Sequence, residues 1–432
     1  MKIKKSYLIV FILILHFNLI FQGTTNLFNG QYHKSSIRVA TSLSASNSVE
    51  LNWYCTWGGN LYDEAHGVAV DSSDNIYIAG LTNSFGAMDA VLVKYDSSGM
   101  QQWNRTWGGD IYDEAHGVAV DSSDNIYITG FTNSFGDMDA VLVKYDSSGM
   151  QQWNRTWNGG GYDKAHGVAV DSLDNIYITG EMDAILVKYN SSGDLQWNRT
   201  WDGGGEVHGV AVDSSDNIYI AGETPYSEED AEDMFLLKYS SSGVQQWSRT
   251  WGGSECDVAK GVAVDSLDNI YIVGDTRSIV VGEIDMILVK YDSFGDRQWI
   301  RIWGGIDEDR GYGVGVDSLD DIYITGYTTS SDVGGRDMVL VKYDSSGVQQ
   351  WSRIWGGISS SIANGVALDS SENIYLAGVT YSFGAGGGDM ILVKYGKAEE
   401  KNEREIISGY NFLFIIYAIC IITVLSLKKR HY

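Results

Sequence analysis

Four histidines, His66, His116, His166 and His208, each stand directly before a Gly-Val-Ala-Val-Asp run. Imidazole has the side-chain pKa nearest neutrality, so each occurrence offers proton transfer or metal ligation. Lys260, Tyr312 and Asn364 hold the same place before three further copies of the run, and the carboxylates Asp63, Asp113, Asp163 and Glu206 lie a few residues upstream. Imidazoles beside carboxylates are a donor set for a divalent cation, and equally an acid–base set for a lyase or hydrolase. One histidine per copy spaces the imidazoles too widely for a single tetrahedral ion, and duplication alone would multiply a histidine, so no cofactor is expected. The acidic loop from Ser227 to Asp233 lacks the D-x-D-x-D-G spacing of a calcium loop and reads as a solvated charge run. No nucleophile elbow, phosphate loop, paired metal motif or CxxC is present, and no catalytic residue is assigned.

These residues are placed by a repeat. A tryptophan recurs at Trp53, Trp103, Trp153, Trp197, Trp247, Trp299 and Trp351, at spacings of 50, 50, 44, 50, 52 and 52 residues. Each unit holds four short segments rich in β-branched and aromatic residues, in the first unit HGVAVD, NIYIAG, DAVLVKY and QQWNRTW. The polar clusters DSSDN and DSSG join them in pairs and suit tight turns. Four strands at a period near 50 residues predict propeller blades. In DAVLVKY, Val91, Val93 and Tyr95 face one way and Ala90 and Leu92 the other, so the sheet needs cover on both faces. Radial stacking supplies it.

The first three strands occur seven times, but the seventh unit ends at Tyr395 without an outer strand, while the chain opens at Leu51 with an outer strand that has no unit. Leu51 to Trp57 is therefore expected to complete the last blade and close the ring, which removes two open sheet edges. The predicted fold is all-β, a seven-bladed propeller of four-stranded blades closed by an N-terminal strand, over residues 51–395. All insertions and deletions fall in two connections, from the outer strand to the next blade and from the second strand to the third. Both emerge on one face of the disc, and the seven residues from His66 to Asn364 belong around the channel mouth on that same face. Variable loops on a rigid scaffold are where binding usually resides.

Units reading GVAVDSSDNIYIAG, DAVLVKYDSSG and QWNRTW resemble the SBBP family, the β-propeller repeats of prokaryotic surface and secreted proteins, and are similar to NHL repeats. That resemblance implies a fold and a surface location and carries no common reaction. A glycine usual in the first turn is replaced by Asp74. All fourteen tryptophans lie in WxxxW pairs, where Trp103, Arg105 and Trp107 share a face; inter-blade packing is the expected use of this array, with a sugar-stacking ladder as the alternative. Asp89 and Lys94 recur as structural polar pairs. Asn104, Asn154, Asn190 and Asn198 open N-x-S/T sequons.

Residues 1–23 read as a signal peptide or signal-anchor, with Lys2, Lys4 and Lys5 before an apolar run. A spacer (24–50) precedes the disc, and a charged linker (396–405) follows it. Residues 406–427 carry no charge over a length that spans a bilayer and predict a transmembrane helix, and the basic tail 428–432 is expected in the cytoplasm, with the propeller outside. Three cysteines, one of them within the predicted span, give no disulfide framework. A formal charge of −26 excludes nucleic acid as an expected partner. The expected function is a membrane-anchored extracellular module binding protein or glycan through the variable face; the alternatives are an extracellular lyase or hydrolase using the histidine arc, and a structural surface protein without a specific ligand.

Overall fold

Runs such as Ile76–Thr82 and Asp89–Tyr95 are buried along nearly their whole length, and the β-branched and aromatic residues that fill them fit a sheet covered on both faces. The computed structural model describes residues 49–133, 138–181, 184–226, 231–280, 282–331 and 335–397. Among these residues there are 28 strands and no helix, arranged as seven four-stranded antiparallel sheets. In blade 1 the order from the axis outward is Asp63–Val70, Ile76–Thr82, Asp89–Tyr95 and Gln101–Trp107, here called strands a to d. Blades 2 to 6 repeat that order. Blade 7 takes its strands a to c from residues 361–397 and its strand d from Val49–Trp57.

The closing strand pairs antiparallel with Asp389–Lys397, from Trp57 against Met390 to Val49 against Lys397. The ladder thus runs two residues beyond the expected propeller at each end. The predicted signal (1–23), most of the spacer, the predicted span (406–427) and the basic tail lie outside the described residues.

Each strand c has two faces that belong to different cores. Val91, Val93 and Tyr95 pack with Tyr375, Ala377, Met390 and Leu392 of blade 7. Ala90 and Leu92 pack with Ala115, Ile126 and Ile128 of blade 2. Seven such clusters form the core, each shared by two neighbouring blades. Fully burying one of these aliphatic side chains contributes about 1.5–3 kcal/mol.

The turn after strand a resolves the missing glycine. Asp74 has φ 60°, and Asp124, Asp174, Asp216, Asp268, Asp320 and Glu372 sit in the same left-handed region. The side chain offsets the strain by reaching the preceding blade, where Asp124 accepts bonds from Ser72 N (3.0 Å) and Ser72 Oγ (2.9 Å). Ser370 makes the same two bonds to Asp74 and carries the pattern across the ring seam. Glycine would relieve the backbone and lose the link.

Two further links repeat around the ring. Lys94 lies 3.7 Å from Asp71 of its own blade and donates to Ser147 O of the next, so its charge partner is Asp71 and not Asp89. Arg105 lies over the Trp103 ring at 5.1 Å and donates to Gly149 O at 2.6 Å, which assigns the WxxxW array to inter-blade packing. Gly149 is required there, with φ 80° and a Cβ position only 2.9 Å from Trp103. Cys55 replaces this arginine in the closing strand, where it is buried.

Candidate functional site

Strand a begins on the loop face, because Asp63 pairs with Thr82 and Thr82 with Asp89 at one end of the sheet. The ladder between strands a and b slips between Ala65 and Gly67, making His66 the extra residue of a β-bulge. The same slip occurs at His116, His166, His208, Lys260, Tyr312 and Asn364. A bulge re-aims its side chain, and here seven of them encircle the mouth of an axial channel. The channel, of about 180 Å³, is lined by Gly67, Val68 and their six equivalents. Gly67 is needed because a Cβ there would lie 3.0 Å from His116 O of the next blade.

This close approach brings the imidazoles together. His116 Nδ1 lies 2.6 Å from His166 Nδ1, so the expectation that one imidazole per blade keeps them apart fails for this pair. Ring centres are 4.5 Å apart for His116 and His166, and 5.2 Å apart for both His66–His116 and His166–His208. His66 Nε2 and His116 Nε2 approach Glu114 Oε1 at 2.8 and 3.0 Å, obliquely enough to be ion contacts and not aligned hydrogen bonds. His166 Nε2 meets Glu181 Oε1 at 3.0 Å, and Lys164 reaches the same oxygen at 3.3 Å. His208 Nε2 meets Glu223 at 2.8 Å and Lys260 Nζ at 3.2 Å.

The other sector differs. Tyr312 faces Tyr327 with ring centres 6.0 Å apart. Arg310 Nη1 pairs with Asp275 at 3.2 Å, and its Nε with Glu308 at 2.5 Å. Asn364 Nδ2 donates to Glu64 Oε1 at 2.8 Å and to Ala65 O at 2.9 Å.

Of the expected carboxylates, only Glu206 stands in this girdle; its ligand atom lies within 4.8 Å of those of His208 and Glu223. Among the described residues this is the one trio within metal-ligating reach, and Lys260 already supplies a positive charge beside it. Asp63, Asp113 and Asp163 are buried at the blade junctions instead. Asp63 there accepts from Gly59 N (2.9 Å), Ser84 Oγ (2.6 Å) and Thr82 Oγ1.

Sequence reasoning missed the carboxylates that do meet the histidines, Glu114, Glu181 and Glu223, together with Asp275. A signal existed for three of them. The residue after the invariant glycine of strand b is Leu81, Phe131, Tyr327 or Val379 in four blades but Glu181, Glu223 and Asp275 in the rest. Acids at a position otherwise apolar or aromatic, in three adjacent blades, mark an ionic sector.

Burial and charge split the protonation of this sector. Burial opposes the charge on His66, yet Glu64 and Glu114 hold it above the usual histidine range. Burial pushes His116 down to about 4, and the neighbouring imidazoles add to this against the pull of Glu114. His208 falls to about 3 through burial and Lys260. Glu181 is held at about 2 by the His166 hydrogen bond, whereas burial pushes Glu223 up to about 7 and Asp275 up to about 6. The sector therefore holds both a neutral base and a weak acid near neutral pH.

Asn104, Asn154 and Asn198 are exposed on strand d. Asn190 is half-buried in its turn, where its Oδ1 accepts from Ser192 N and Asp194 N.

Seven radial sheets, a closing strand and a polar channel mouth define a seven-bladed β-propeller. Six stretches, 57–86, 108–136, 156–181, 246–279, 298–332 and 350–384, match the SBBP beta-propeller repeat, so the chain carries six repeats of that family. The strand a and b hairpin of blade 4, which holds Glu206, His208 and Glu223, lies outside the six stretches. Regulatory protein FlaEY of Caulobacter vibrioides is 29% identical over 112 residues, 23% of this chain and 12% of that protein. A streptogramin B lyase structure aligns over 79% of this chain and 98% of its own, at 9% identity and TM-score 0.51. The virginiamycin B lyase of Staphylococcus aureus aligns over 79% and 99%, at 10% identity and the same TM-score. The Pan2 WD40 domain of Neurospora crassa aligns over 78% and 90%, at 8% identity and TM-score 0.52. At such identities the likeness is one of fold.

Proposed function

We propose that this propeller is a membrane-anchored, extracellular binding module that engages a protein or glycan partner through its loop face. The contrast between its two faces carries the reading. On the turn face, the same hydrogen bonds recur from blade to blade, such as Ser72 to Asp124 and Ser266 to Asp320. On the loop face the connections differ in length, and they expose unlike side chains, among them Leu61, Phe85, Tyr162, Ile306 and Ile358. Uniform turns serve the scaffold, and unlike loops on a rigid support serve recognition. The apolar run 406–427 followed by Lys428, Lys429 and Arg430 supports the anchor and its orientation. Glycans on Asn104, Asn154 and Asn198 would project from the rim and leave the loop face free.

The test displays the full chain on cells and measures capture of envelope proteins and arrayed glycans. Replacing Tyr162 and Ile306 by serine is expected to abolish capture, and the same change at Leu173 and Leu267 on the turn face to leave it intact. Equal loss from both pairs, or from neither, refutes the reading. A tag placed after Arg430 should be reachable by antibody only in permeabilised cells.

A second reading, an extracellular lyase or hydrolase, is favoured by the pairing of a neutral His208 with a weakly acidic Glu223 beside Lys260. It requires turnover that disappears in Glu223→Gln and in His208→Ala.

A further inference from the structure

The facing imidazoles of His116 and His166 pose a proton-counting problem. His116 Nε2 lies 3.0 Å from Glu114 Oε1, and His166 Nε2 lies 3.0 Å from Glu181 Oε1. An ionised carboxylate oxygen only accepts, so a bare nitrogen lone pair at either place would repel it. Each Nε2 therefore carries the ring proton. Each Nδ1 is left with a lone pair, and the two are 2.6 Å apart. Two lone pairs at that distance repel unless a positive charge lies between them.

We propose that His116 Nδ1 and His166 Nδ1 form a binding site for a borderline first-row transition metal ion such as Zn²⁺, with Glu114 and Glu181 as the carboxylates that orient the two rings. Three features support a metal ion over a bare proton. Metal-bound histidines characteristically present their second ring N–H to a carboxylate, and here His166 Nε2 hydrogen-bonds Glu181 while His116 Nε2 lies in ion contact with Glu114. Bonds of about 2.0–2.1 Å in a tetrahedral shell place two nitrogens about 3.4 Å apart, so the rings need to part by less than about 1 Å. Both side chains stay partly exposed, at 18% and 15%, which leaves the remaining positions open to water or to a ligand arriving from the loop face. His208 is the next imidazole along the arc. Its Nε2 is taken by Glu223 and Lys260.

This site is separate from the Glu206, His208 and Glu223 trio, and the experiment distinguishes them. The full chain, purified in detergent and stripped with chelator, is titrated with Zn²⁺ by calorimetry, with elemental analysis after gel filtration. One ion per chain is expected. His116→Ala and His166→Ala should each weaken binding at least tenfold, and Glu114→Gln or Glu181→Gln by about 10–100-fold. Glu206→Gln and His208→Ala should leave it unchanged. Near-ultraviolet circular dichroism checks the fold; if an alanine variant fails it, His116→Asn and His166→Asn replace it with a polar side chain of similar reach. No bound metal in the intact chain, meaning a shared proton only, overturns the proposal. So does binding that survives loss of both histidines, or that disappears with Glu206→Gln.

Discussion

Replacing Trp57 by alanine tests whether the ring is held by its closing strand. Trp57 is 5% exposed, packs against Phe85 with ring centres 5.5 Å apart, and joins a cluster that includes Cys55, Ala65, Met390 and Leu392. Removing a buried indole costs about 3–5 kcal/mol. The equivalent Trp107 of blade 1 is only half-buried, so Trp107→Ala should cost about 1–2 kcal/mol on area alone. Unfolding entropy of about 2.1 cal/mol/K per residue over roughly 350 residues gives ~0.7 kcal/mol/K, so the two variants should lower Tm by about 4–7 °C and about 1–3 °C. The assay is a melt followed by near-ultraviolet circular dichroism, with hydrogen exchange read at residues 389–397. Trp57→Ala should speed exchange there before the other blades respond, because that strand loses its outer partner. Equal melting shifts for the two variants, or protected amides at 389–397 in Trp57→Ala, would refute a closure-limited ring.

Burial, with Asp63 adding to it, pushes Asp389 up to about 6, so the native state holds that proton more tightly than the unfolded chain. Its contribution is complete below the unfolded value near 4 and is lost as pH rises through 6; Asp389→Asn should remove on the order of 2 kcal/mol of this decline between pH 4 and 7, read from Tm against pH. Glu181, held at about 2, acts with the opposite sign: its stabilisation is present above the unfolded value and fades as pH falls, and Glu181→Gln should flatten the acid side of the same curve. Arg199 donates to Gly243 O at 2.6 Å and lies 5.0 Å from the Trp197 ring centre, so Arg199→Ala should destabilise by about 1–3 kcal/mol in denaturant titration. At Asp124, alanine should cost about 1 kcal/mol more than glycine, since both lose the bonds to Ser72 but only alanine keeps the left-handed strain; equal costs would remove strain from the account.

The fold was legible because the repeat is a long-range signal carried by many residues at once. The seven copies of strands a to c and the orphan outer strand at Leu51 to Trp57 fixed blade number and closure by counting alone. The channel mouth was legible only in part. Strand order placed His66, His116, His166 and His208 on one arc. Their mutual distances depend on β-bulges and on the close approach at Gly67, and neither appears in residue spacing. For the same reason Asp63, Asp113 and Asp163 were grouped with the histidines as candidate ligands. Asp63 and Asp113 lie on strand a before the bulge, where the regular ladder holds them in the blade junctions, and Asp163 just precedes its strand a and is held by its N–H to Met138 O of the preceding blade. Glu223 ends strand b of blade 4 and Glu181 directly follows strand b of blade 3, and only the register of each hairpin sets them beside a histidine on strand a.

The pairing of Val49 with Lys397 brings the two ends of the disc to neighbouring points beside the turn of Asp369 to Asn373. That placement has a mechanical meaning. A pull that separates those two ends would open the closing ladder like a zipper, one residue pair at a time and at low force. A pull between the loop face and Lys397 alone instead runs along the strand Asp389–Lys397 and loads its flanking hydrogen bonds together, in shear. A disc tethered only through its C-terminal side would thus resist traction from a captured partner. The same disc held through both ends would be protected only while the two attachment points stay side by side.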